Sequence, residues 1–158
     1  MKKQLIIIGI IILLLIVGLS GCSSNNQSSG KTVYNIGDSI TVENIRYTFL
    51  SAKWVESWGS YKYNLEIKGE NIGKEVTTGY VALLKYEMEN GYKYEHSNFF
   101  IGTQFTINPG KELIQTISSN SGEIDRDFLP VAKLHIDFRK QSSNPLSYIW
   151  LKTIVLNV

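Results

Sequence analysis

Two histidines, His96 and His135, and one cysteine, Cys22, bound the covalent and metal chemistry open to this chain. Serine-type catalysis needs a nucleophile on a strained turn, with a base and an orienting acid beside it. No Gly-x-Ser-x-Gly segment is present, and His135 falls between Lys133 and Asp137 in a stretch of alternating polarity, where it reads as a solvated strand residue. His135 and Asp137, two positions apart, would share a strand face, and His96 could add a third metal ligand. Transition-metal sites draw on three or four such ligands, and the sequence has no His/Cys cluster to supply them. Glu123, Asp125 and Asp127 could offer carboxylates to calcium, but their loop lacks the dense Asp/Asn/Gly spacing of calcium loops and reads as an exposed acidic loop. Glu66, Glu87 and Glu89 fall on outward strand positions, whereas a glycosidase needs two carboxylates facing across a cleft. The reading assigns no catalytic residue, no metal and no cofactor.

Aromatic side chains offer recognition rather than reaction. Trp58 sits in a Ser57-Trp58-Gly59-Ser60 turn with Tyr61 close behind. It either folds back over the end of the domain or stands out to contact a partner, protein or glycan, together with Tyr61. Trp54 and Trp150 lie in strand-like segments and read as packing residues.

The N-terminus carries an address. Lys2 and Lys3 precede an apolar run from Leu5 to Val17, interrupted only by Gly9. Leu19-Ser20-Gly21-Cys22 follows, and it resembles the lipobox of prokaryotic lipoproteins. The resemblance implies cleavage before Cys22 and a diacylglycerol thioether on its sulfur, with two acyl chains for stable anchoring because each buried CH₂ contributes only ~0.8 kcal/mol. Residues 1–21 are then a signal peptide. Residues 22–31, rich in Ser and Asn, are a lipidated flexible tether. The expected location is the outer face of the cytoplasmic membrane.

Residues 32–158 remain for one domain. The whole chain carries 16 basic and 14 acidic residues; setting aside Lys2 and Lys3 leaves 14 against 14. A neutral mature chain argues against nucleic acid, which needs a basic surface to release counterions. Apolar alternation of period two recurs throughout, broken by turn signals. The cleanest strand alternates Tyr61, Tyr63, Leu65 and Ile67 with Lys62, Asn64, Glu66 and Lys68. In Ile45 to Val55 the apolar phase switches from odd to even, which predicts a bulge near Phe49-Leu50. Asn90-Gly91 marks a hairpin, and a three-residue loop, Glu89-Asn90-Gly91, places Met88, Tyr92, Tyr86 and Tyr94 on one apolar face. Phe99 to Ile107 reads as irregular or weakly extended. Ala132 to Phe138 alternates, and Tyr148 to Val158 is apolar on both faces and reads as central. The sum is an all-β antiparallel sandwich of seven to eight strands.

The ordered motifs Gly37-Asp38-Ser39-Ile40-Thr41-Val42, Tyr63-Asn64-Leu65-Glu66-Ile67, Glu70-Asn71-Ile72-Gly73 and Asn108-Pro109-Gly110-Lys111-Glu112 are similar to a family of immunoglobulin-like domains of unknown function. Members are carried by secreted lipoproteins of Gram-positive bacteria and archaea. The resemblance spans most of residues 36–138 and implies an immunoglobulin-like sandwich outside the cytoplasm, with no catalytic residue to carry over. The expectation is a lipid-anchored, noncatalytic binding or scaffolding domain with its contact surface at Trp58 and Tyr61. The alternative is a small envelope hydrolase or metal-dependent enzyme.

Overall fold

A computed structural model describes residues 31–57, 60–95, 101–118, 130–143 and 147–158; for residues 57, 60, 61, 84, 94, 95 and 101 it describes the backbone alone. Residues 1–30, which hold the expected signal peptide, Cys22 and all but Lys31 of the expected tether, lie outside the described residues, as do Trp58, His96, Glu123, Asp125 and Asp127. No helix occurs among those described.

Ten strands form among the described residues: β1 (Val33–Asn35), β2 (Ser39–Val42), β3 (Ile45–Ser57), β4 (Ser60–Asn71), β5 (Thr77–Met88), β6 (Lys93–Glu95), β7 (Ile101–Ile107), β8 (Glu112–Ser118), β9 (Val131–Gln141) and β10 (Tyr148–Asn157). The count exceeds the seven or eight expected because β1 and β7 were not foreseen. β1 has only three residues, too few to show a period. In β7, Phe105 and Ile107 do point inward, but Gly102, Thr103 and Gln104 dilute the pattern.

The strands make two sheets. One runs β1-β10-β9-β5, with β6 and β7 sharing the far edge of β5; the other runs β2-β3-β4-β8. β7 pairs with Thr77 to Leu83 and β6 with Lys85 to Glu87, and the register of β5 slips between Leu83 and Lys85, where the partner changes. All pairings are antiparallel except β1 with β10, so the first sheet is mixed rather than purely antiparallel.

The inner faces of the sheets meet in one apolar core. Tyr63, Leu65 and Ile67 of β4 are buried as their alternation predicts, and so are Tyr86 and Met88 of β5. Full burial of a side chain such as Leu65 contributes about 1.5–3 kcal/mol relative to exposure. Rings cross between the sheets: Tyr47 of β3 lies 5.3 Å from Phe105 of β7 and 4.9 Å from Phe138 of β9. Two glycines make room. A Cβ on Gly69 would stand 2.7 Å from Phe105, and one on Gly79 would collide with the Tyr47 hydroxyl. Gly69 therefore sits within β4 and receives the Phe105 ring.

Local expectations hold at two places. The β3–β4 register shifts between Phe49 and Ser51, the bulge that the phase switch requires. In the β5–β6 hairpin Tyr86 faces Tyr94, the Met88 amide donates to Tyr92 at 2.8 Å, and Gly91 takes φ +83°. The loop thus has three residues. Tyr92 itself is 45% exposed, since the hairpin end extends past the core.

The sequence motifs Glu70-Asn71-Ile72-Gly73 and Asn108-Pro109-Gly110 meet in space. Asn71 is buried; its side-chain nitrogen donates to the carbonyls of Glu75 and Ile107, both at 2.7 Å, and its side-chain oxygen accepts from Gly73 N. Its backbone also exchanges hydrogen bonds with the second turn, donating to Lys111 O and accepting from Gly110 N. One side chain thereby satisfies loop carbonyls that burial would otherwise leave unpaired.

Candidate functional site: an aromatic end of the six-stranded sheet

The chemistry-bearing residues collect on the outer face of the six-stranded sheet, and a bulge in β10 decides which. Trp150 pairs with Arg139, but Lys152 pairs with Phe138, so Leu151 is the extra residue. An unbulged strand would send Trp150 and Thr153 to opposite faces. With the extra residue both point outward, beside Arg139 and Asp137 of β9. Leu151 packs against the core.

Across the strands, Tyr80 of β5, Arg139 of β9 and Trp150 of β10 then form one outer row through the pairs Tyr80–Arg139 and Trp150–Arg139. Tyr148 lies two pairs further along, opposite Gln141 and on the same face, and its ring stands 4.8 Å from that of Tyr80. Burial pushes the Tyr80 phenol above its ordinary range; Tyr148 adds to this and Arg139 opposes it.

Beneath the rings runs a polar chain. Trp150 Nε1 donates to Thr153 Oγ1 at 2.9 Å, and Thr153 Oγ1 donates to Asp137 Oδ1. The other carboxylate oxygen accepts from Arg139 through Nη2 at 2.6 Å and Nε at 3.2 Å. Asp137 is only 4% exposed, although it lies on the outer face. A carboxylate so covered needs these charge-assisted bonds to remain stable. The consequence for Trp150 is unusual. Trp150 is 61% exposed, yet its nitrogen is fixed to half-buried Thr153, which in turn bonds the buried Asp137. Tyr148 and Ile149 beside it are 42% and 46% exposed.

These findings correct two expectations. Trp150 is not a packing residue. Among the described residues β10 is central only at its C-terminal end, because β1 pairs with it from Val155 to Asn157. The apolar outward residues of its first half serve a surface and not a core.

Further along the same face, Glu87 Oε1 lies 3.1 Å from Lys133, while its Oε2 lies 3.9 Å from Lys93 and 3.6 Å from His135 Nε2. The last distance is Coulombic rather than a hydrogen bond. The Lys133 hydrogen bond chiefly holds the Glu87 carboxyl below its ordinary range. Burial, then Lys85, lowers the His135 value. His135 and Asp137 do share a face, but each has its own partners. Among the described residues no group of three His, Cys, Asp or Glu side chains is placed to hold a metal. The backbone of Tyr61 pairs with Glu56 in the β3–β4 hairpin.

No protein-family model matches the chain. No curated protein matches it either. Among solved structures the chain is similar to the yjhA protein from Bacillus subtilis, at 12% identity and a TM-score of 0.40, over 79% of this chain and 98% of that one. A likeness at that level carries no argument about what this chain does.

Proposed function

We propose that this chain is a lipoprotein anchored through Cys22 to the outer face of the cytoplasmic membrane, and that its β domain is a noncatalytic binding or scaffolding module. The lipobox-like Leu19-Ser20-Gly21-Cys22 supports the anchor. The domain is of the immunoglobulin-like kind in its first sheet, where β5, β9 and β10 stand in the order of strands C, F and G. The second sheet departs from that plan: β2-β3-β4-β8 follows chain order, whereas immunoglobulin domains place the later strand E between B and D.

The observation that carries the binding reading is Trp150, exposed and hydrogen-bonded at once. Exposing a large apolar ring gains nothing for solubility, and fixing it in advance reduces the entropy lost when a partner arrives. The contact surface is therefore assigned to the Trp150 end of β10, in place of Trp58 and Tyr61, the contact residues expected from the sequence. A photo-reactive amino acid at position 150 of the full chain, in intact cells, tests this. Crosslinking there, and none at exposed Thr116 of β8, is the expected result. Equal labelling at both positions sinks the reading.

A further inference from the structure

We infer that the partner of this surface is the membrane that carries the anchor, with the Trp150 end of β10 resting in the headgroup–acyl boundary. The inference rests on the lipoprotein reading and names the partner of the same surface.

Chain direction supplies the first argument. β1 runs parallel to β10, with Val33 opposite Val155 and Asn35 opposite Asn157, and Val155 N donates to Thr32 O at 2.8 Å. The chain entering β1 therefore approaches from the Tyr148 end of β10, not from the Val158 end. Between Cys22 and Thr32 the backbone spans roughly 35 Å at most, at about 3.5 Å per residue. Trp150 precedes Val155 by five positions, roughly 15 Å back toward the anchor at a strand rise of about 3.3 Å. A linker of that reach, entering from the Tyr148 end, lets the anchor and the aromatic cluster meet the same membrane surface.

Side-chain distribution supplies the second. Tyr148 and Trp150 lie on the outer side of β10, paired with Gln141 and Arg139, while Ile149 pairs with Lys140 on the other side. All three are exposed. A sugar stacked on the two outer rings would leave exposed Ile149, on the opposite side, without a role. Apolar groups on both sides of a strand end suit a medium that surrounds it, and Trp and Tyr favour the headgroup level of a bilayer. Among the described residues no strand covers this edge of β10 from Tyr148 to Ile154.

Charge agrees. Lys140 and Lys152 flank the apolar group, and Lys140 is engaged by Glu43 at 2.8 Å in an exposed pair. Exposed pairs of that kind contribute about 0–1 kcal/mol, so a lipid phosphate can replace the carboxylate. Long lysine stems can lie along the apolar layer while their ammonium groups reach phosphates.

The test uses the full-length lipidated protein reconstituted in phosphatidylcholine–phosphatidylglycerol vesicles, with and without brominated acyl chains. The emission due to Trp150 is the difference between wild type and Trp150→Phe. A ring seated ~5–10 Å into the boundary should lose about half or more of that difference emission to bromine. Protein with the diacylglyceryl mass on Cys22 but no such quenching overturns the docking and leaves the anchor standing. Absence of that mass overturns both. An unquenched blue shift that grows with protein density assigns the edge to a second copy, and one produced by soluble cell-wall glycan assigns it to a sugar; either result overturns the proposal.

Discussion

Tyr47 and Phe105 face each other across the two sheets, and each ring lies over the glycine that is the other's strand partner. Tyr47 pairs with Gly69 in the β3–β4 ladder and Phe105 with Gly79 in the β5–β7 ladder. Phe105 occupies the space a Gly69 side chain would take, and Tyr47 the space a Gly79 side chain would take. The exchange locks the two sheets in one lateral position.

Gly79→Ala should therefore destabilise the domain by about 1–3 kcal/mol, the usual cost of overpacking a close-packed core. Gly69→Ala should cost less, since ring rotation can relieve its contact. Denaturant midpoints at unchanged slope measure both. A neutral Gly79→Ala would show that the sheets slide freely.

Asn71→Ala should cost about 2–4 kcal/mol, because it leaves the carbonyls of Ile107 and Glu75 without their donor. Hydrogen exchange would report the loss locally. The amides of Gly73 and Gly110 should lose protection ahead of those in β4.

Thr153→Val removes the link between Trp150 and Asp137 while keeping the side chain's shape. Stability should fall by about 0.5–1.5 kcal/mol. The sharper readout is the Trp150 ring, whose fluorescence anisotropy should drop. Trp150→Ala, by contrast, should change stability by no more than about 0.5 kcal/mol, as expected for an exposed site. A loss of several kcal/mol would return Trp150 to the packing role first expected of it.

Acid should weaken the fold in two stages. His135 is held below its ordinary value of 6.5, first by burial and then by Lys85, with Glu87 opposing and Lys93 assisting. The unfolded chain therefore takes up the proton first, and stability is full above that value and declines as pH falls through it. Glu87, lowered chiefly by Lys133, adds a loss further down, below 4.5. Urea midpoints at about pH 7.5 and about pH 5.5 should differ in wild type and converge in His135→Gln. A midpoint that rises on acidification would reverse the sign of the argument.

The fold was legible where a strand has one wet face. Tyr63, Leu65 and Ile67 announce their burial, the phase switch announces the bulge at Leu50, and the apolar match across Asn90-Gly91 gives the loop length. The candidate site was not legible, for a definite reason. Whether Trp150 points in or out depends on the bulge at Leu151, and β10 is apolar on both sides of it, so no alternation exists to be interrupted. Asp137 was equally hidden, because its partners are Arg139 on its own strand and Thr153 on another, whose facing the bulge decides.

The parallel seam between β1 and β10 has a mechanical meaning. A pull applied to the chain N-terminal to β1 would enter the domain at Thr32 and act along the axis of β1. Its hydrogen bonds to β10 lie across that pull, so they are loaded in shear and must yield together rather than one at a time. Behind them the load passes into β10 and β9, the middle of the larger sheet. A domain pulled from that side would thus be held by its centre, with its three-residue first strand as the fastening.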